Sequence, residues 1–250
     1  MKKLFLSTAA LVIASVGFAQ NNNDLVEQYG NGNSATVSQA GLDNDNHIYQ
    51  AGDNNSASTT QQGVANLNTS TSLGNSNSIT VDQLGIDNFN DSYQDGDNNS
   101  AFVDQDGSAN TNFQEQYGSF NAAQSTQAGA DNWAWQYQNG DSHWAVNNQG
   151  GSNNQAIQYQ VGLANWAFNT QSGADNGALQ YQNGAINDAY SDQFGVGNYT
   201  EQWQTGDFHW ADNDQFGNGN TALVSQDGTN HTHTGQQFGN GNYLTSTQTN

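Results

Sequence analysis

The sequence predicts an all-β protein: a β-solenoid of about ten coils, each of two strands and 22 residues, with cross-β (amyloid-type) stacking and open ends. Three observations predict it. Stepping by 11 from Gln28 to Gln248 meets Gln at 20 of 21 positions, Ser72 being the exception. Two residues after each step, from Gly30 to Gly239, stands Gly at all 20 sites. The 250 residues contain no Pro, so every residue can donate to a ladder.

In chain order, residues 1–19 read as a secretory signal peptide. Lys2 and Lys3 precede an apolar run over residues 4–18, and small Gly17 and Ala19 set a cut between Ala19 and Gln20. The run is shorter than the ~20 residues of a membrane span, and no later stretch is apolar for long enough. No membrane insertion is therefore expected. Residues 20–27 form a short N-terminal segment, and residues 28–250 the repeat array of 11-residue strand–turn units.

The unit is Q-x-G-x-x-N-x-(A/N)-x-x-x, with Asn five residues after Gln at 17 of 20 sites and His143, His209 and His231 at the others. From Asn to the next Gln is seven residues, a usual strand length. Side chains alternate with period 2, so Asn, the residues two and four later, and Gln share one face. The residues between Gln and Asn hold Gly30, Gly41, Gly52, Gly63 and their successors, flanked by Asn and Asp. These types tolerate left-handed backbone and make turns.

One strand–turn unit cannot close on itself, but two can. A 22-residue signal supports the pairing: seven residues after Gln the chain alternates Ala35, Asn46, Ala57, Asn68, Ile79, Asn90, Ala101, Asn112. From Ala134 onward the alternation moves two residues along, through Gln136, Asn147, Gln158, Asn169 and Gln180. The two sheets are thus not equivalent.

The inward face carries Gln28, Gln39, Gln50, Gln61, Gln83, Gln94, Gln105, Gln116, Gln127 and Gln138 with Asn33, Asn44, Asn55 and Asn66. Burying amides is costly unless each is hydrogen-bonded. Identical amides stacked at strand spacing bond to their copies above and below, the Asn/Gln ladder of cross-β structures. Ser72 interrupts a ladder and marks an expected weak point. On the outside, Tyr137, Tyr159, Tyr181 and Trp203 recur at 22 and form an expected aromatic ladder, for coil stacking or filament contact. Trp144, Trp166 and Trp210 form a second row, broken at Asp188.

Charge excludes several functions. The chain carries 23 acidic and two basic residues, and removing Lys2 and Lys3 takes the net charge from −21 to −21 − 2 = −23. Phosphate recognition rests on Lys and Arg, so nucleic acid is not a partner. A hydrophobic fraction of 33% with this charge would by itself read as disorder. The unbroken register reads otherwise. Turn acids Asp43, Asp87, Asp131 and Asp175 recur at 44, as do Asp53, Asp97 and Asp141, either to space like charges or as a relic of duplication. Asp82 and Asp104, and Asp192 and Asp214, are expected one coil apart as brakes on assembly.

No nucleophile–base pair, phosphate loop or H-E-x-x-H appears, so no catalytic residue is assigned, and no cofactor. His209, His231 and His233 could together hold a transition metal, but the bland reading, substitution for Asn in the ladder, is preferred and no metal site is assigned. Little precedes the first unit and little follows the last, so both edges are expected to template another chain.

The unit as written in Gln28-Tyr29-Gly30-Asn31-Gly32-Asn33-Ser34-Ala35-Thr36-Val37-Ser38-Gln39 resembles the curlin repeat of curli fibre subunits, over about residues 25–248. The resemblance implies a secreted bacterial subunit polymerising into extracellular functional amyloid at the cell surface, for biofilm matrix and adhesion. It also implies partners: further copies of itself, a nucleator subunit, and an outer-membrane secretion channel with accessory factors. With no basic terminal repeat the chain resembles the major subunit. It departs from familiar major curlins in having twice as many repeats and a shorter N-terminal segment for the channel to read. The alternative is a non-polymerising or minor (nucleator or adhesin) surface β-solenoid.

Overall fold

The computed structural model describes residues 21–250, and the proposed cut at Ala19 and Gln20 lies outside them. Twenty-one strands follow one another with no helix among the described residues. The first four are β1 (Asn23–Tyr29), β2 (Ser34–Leu42), β3 (Asp45–Ala51) and β4 (Ser56–Val64). The numbering continues to β20 (Thr232–Asn240) and β21 (Tyr243–Thr249). Odd strands form one parallel sheet of 11, even strands another of 10. Each residue pairs with the one 22 positions on, as Gln28 with Gln50 and Gln39 with Gln61. The chain is a β-solenoid of two-strand coils.

The strands are longer than the seven residues expected from Asn to Gln. Most have nine, starting one residue after the Asn and running three past the Gln, so the repeated Gly lies within the ladder. Between β2 and β3 only Asp43 and Asn44 remain as the corner. Gly129 shows how this works: φ of +124° bends the chain while it stays paired. A Cβ there would run into the Gly151 carbonyl oxygen of the next coil. The residue before each Asn takes the left-handed conformation, with Asp43 at φ 56° and Asn54 at 59°, but also Phe120 at 59° and Ile186 at 55°.

Between the sheets lies a thin core whose apolar part is mostly Ala, as Ala35, Ala57, Ala101 and Ala123, with Val37, Ile48, Ile79, Val81 and Val103. The remaining buried volume is amide and hydroxyl. Such a core closes only if those groups bond along the stack.

Candidate functional site: the stacked ladders

The Gln rows are continuous hydrogen-bonded columns. In the odd sheet Gln28 Nε2 donates to Gln50 Oε1 (2.7 Å), and Gln94, Gln116, Gln138 and Gln160 continue the donations at 2.8–3.0 Å. In the even sheet the column runs through Gln39, Gln61, Gln83, Gln105, Gln127 and Gln149 at 2.8–2.9 Å. Interior members also donate Nε2 to a backbone carbonyl 16 residues earlier, as Gln61 to Asp45 O at 2.9 Å. That second bond fixes which end of the amide is nitrogen. Wherever two Gln adjoin in a column, the donation therefore runs toward the C-terminal neighbour.

The corner Asn rows run the other way. Asn55 accepts on Oδ1 the backbone N–H of Asn77 (3.0 Å), as Asn33 does from Asn55 (2.9 Å). Asn66 Nδ2 donates back to Asn44 Oδ1 (3.0 Å) and forward to Gly85 O (3.1 Å). Each Asn thus ties three consecutive corners. His143 does the same work in imidazole form: Nδ1 takes the Asn165 N–H (3.2 Å) and Nε2 meets Asn139 O (3.3 Å). Burial lowers the His143 pKa, favouring the neutral ring this role needs. His209 likewise accepts from the His231 backbone at Nδ1 (3.2 Å) and stacks on the His231 ring (5.1 Å). His233 instead meets Asn213 Oδ1 (3.2 Å), and no group of three metal-ligating side chains forms among the described residues.

Two rows change partway. Asn46, Asn68, Asn90 and Asn112 form a second Asn column at 2.7–2.8 Å, each donating Nδ2 to the preceding Oδ1. It stops beneath Ala134, and two residues along a Gln column starts: Gln114, Gln136, Gln158, Gln180 and Gln202, at 2.8–3.0 Å. Asn112 Oδ1 and Gln114 Oε1 are left buried without a partner at this change of pattern. At Ser72 the Gln column breaks. Ser72 Oγ reaches Gln94 Oε1 (3.3 Å), whereas Gln50 Nε2 below it has no partner.

Outside, Tyr137, Tyr159, Tyr181 and Trp203 stack ring on ring, with centroids 4.5, 5.2 and 4.7 Å apart. Tyr117 adjoins Tyr137 at 5.6 Å, and burial together with Glu115 pushes its phenol up to about 12. A row that sequence reasoning missed is Phe194, Phe216 and Phe238, at 5.1 and 5.2 Å and nearly parallel. Its signal was available, since these residues also recur at 22. Trp144 and Trp166 meet edge to face (5.0 Å), and Asp188 separates them from Trp210.

The acids occupy two settings. Asp53, Asp97 and Asp141 each accept a backbone N–H from the preceding coil, from Asn31, Asn75 and Ser119 at 2.8–2.9 Å. Asn75 and Ser119 stand between them in the same column, so no two of these carboxylates are adjacent. By contrast Asp82 pairs with Asp104, and Asp192 with Asp214. Burial first, and then the facing carboxylate, raises the pKa of Asp104. Burial raises that of Asp192, with a Thr170 hydrogen bond opposing and Asp214 adding.

A profile of the curlin associated repeat matches residues 20–52, 52–85 and 204–228. These stretches carry the curlin associated repeat. The matched curlin repeats lie toward both ends of the array, and the same 22-residue register carries through the coils between them. Comparison with curated proteins gives no match.

Proposed function

We propose that the chain is a structural subunit of an extracellular curli-like functional amyloid fibre, polymerising by strand addition at the solenoid edges and serving as bacterial biofilm matrix and in adhesion. The observation that carries this reading is the constant coil–coil register: each residue pairs with the one 22 positions on, from β1 to β21. A coil face of another copy can thereby continue the same backbone register. Among the described residues β1, β2, β20 and β21 each pair on one side only. Such edges recruit further strands. Gln Nε2 donating toward the C-terminal coil and corner Asn Oδ1 accepting the backbone N–H from it make head-to-tail addition the arrangement in which donors meet acceptors. The partners that fit are further copies of this chain, a nucleating subunit with a similar edge, and an outer-membrane channel with accessory factors that exports the unfolded chain.

The experiment is polymerisation of the purified chain lacking residues 1–19, at micromolar concentration. An amyloid dye should respond after a lag that preformed seeds abolish. A chain that stays monomeric and β-rich, seeded or not, refutes the reading.

A further inference from the structure

Three buried polar atoms on three successive strands of the even sheet have no protein partner. They are Asn169 Oδ1, Ser191 Oγ and Asn213 Nδ2, in residues no more than 1% exposed. Strands β14 (Trp166–Ala174), β16 (Asp188–Val196) and β18 (Trp210–Asn218) place them in one column, Asn169 pairing with Ser191 and Ser191 with Asn213. Their directions are set by outer neighbours. Asn169 Nδ2 donates away from Ser191, to Asn147 Oδ1 at 2.8 Å, which turns its Oδ1 toward the serine. Asn213 Oδ1 meets His233 Nε2 at 3.2 Å, which turns its Nδ2 back the same way. A serine thus stands where a carboxamide would link acceptor below to donor above.

We propose that one buried water molecule binds beside Ser191, accepting from Asn213 Nδ2 and donating to Ser191 Oγ, whose hydroxyl donates in turn to Asn169 Oδ1. Internal waters make about two to four hydrogen bonds to otherwise unsatisfied groups. The carboxamide that Ser lacks is of the order of one water, whose share of liquid volume is ~30 Å³. Charge decides the class of ligand. A cation would face the Asn213 N–H, and an anion would draw the Ser191 hydroxyl away from the Asn169 carbonyl, so the occupant is neutral and both donates and accepts. The same column breaks again at Ser125, where Ser125 Oγ and Asn147 Nδ2 are unpaired. There the coil below offers Val103, so the third partner is missing.

The test is water-to-protein polarisation transfer in magic-angle-spinning NMR of the ¹⁵N-labelled full chain. The Asn213 side-chain amide should receive polarisation several-fold faster than that of Asn176. Asn176 is equally buried, but its Nδ2 is bonded to Asn154 Oδ1 and Gly195 O, both at 3.0 Å. Ser191→Asn supplies the missing carboxamide and should bring Asn213 down to the Asn176 rate, while Ser191→Ala should leave Asn213 fast. Equal rates at Asn213 and Asn176 in the unsubstituted chain overturn the proposal, whether or not the variants fold. So does fast transfer at Asn213 that survives Ser191→Asn.

Discussion

Replacing Gln127 with Glu isolates the ladder from every other contribution to the core. Gln127 is fully buried and makes three ladder contacts: it accepts from Gln105 (2.8 Å) and donates to Gln149 Oε1 and Thr111 O, both at 2.9 Å. Glu has the same shape, so no cavity forms. The accepted bond survives, but each donated bond becomes an oxygen facing an oxygen. Two buried acceptors without donors cost about 1–3 kcal/mol each, so about 2–6 kcal/mol before any charge is counted. Residues 21–250 contain no Lys or Arg to stabilise a carboxylate, so the folded pKa must lie above the unfolded ~4.3. For an acid raised in this way the fold favours the protonated form. The charge penalty is absent below the unfolded pKa and grows by ~1.4 kcal/mol per pH unit until the folded pKa is passed. The protonated carboxyl also regains one donor. Guanidinium midpoints from β-sheet circular dichroism should therefore show a large deficit against the parent chain near neutrality, shrinking to about one hydrogen bond, ~1 kcal/mol, at about pH 3.5. Gln62→Glu, on the exposed face, is the control. An equal deficit at both pH values, or an equal loss at Gln62, would refute the reasoning.

Ser72→Gln should stabilise the chain, because the new side chain accepts from the unpaired Gln50 Nε2 and donates to Gln94. The gain expected in a guanidinium titration is about 1–3 kcal/mol, and a loss would show that the neighbouring coils have closed over the gap. Ile186→Asn should raise the unfolding free energy by about 1 kcal/mol in the same titration, since a β-branched residue is strained at φ 55° where Asn is tolerated. Burial, then neighbouring carboxylates where they act, holds the folded pKa of Asp104, Asp192 and Asp212 above the ordinary value. Their contribution is complete below the unfolded ~3.9 and is lost as pH rises through the folded values. Acidification toward about pH 4 should therefore stabilise the stack and shorten the polymerisation lag. Asp192→Asn with Asp212→Asn should flatten that dependence, and an unchanged pH profile in the double variant would remove these carboxylates from the account.

The coil was legible because one spacing governs everything. Any residue shared by Gln28, Gln50 and Gln94 must lie in one column, and the alternation of Ala35 with Asn46 separates the two sheets. The strand ends were not legible, because Gly marks turns in most sequences, whereas here its positive φ keeps the chain paired through a bend. Residue types at the left-handed corner mislead in the same way. Asp43 and Asn54 announce it, but Phe120 and Ile186 adopt it because the corners before and after impose it. Amide direction could not be read at all, since a letter Q does not say which oxygen or nitrogen faces up. Backbone carbonyls 16 residues away decide that. Ser72 was legible as a break, and the orphan it creates on Gln50 follows from the direction in which Gln donates.

The change of pattern between Asn112 and Gln136 also bears on how the chain finds its own alignment. A stack of identical coils resembles a ruler without numerals, on which a strand displaced by 22 residues fits almost as well as the right one. The places where the columns begin, stop or skip act as the numerals. A one-coil slip there would set Gln136 against a serine or bury an amide beside alanine. The unpaired atoms at Asn112, Gln114 and Gln50 fall at these marks.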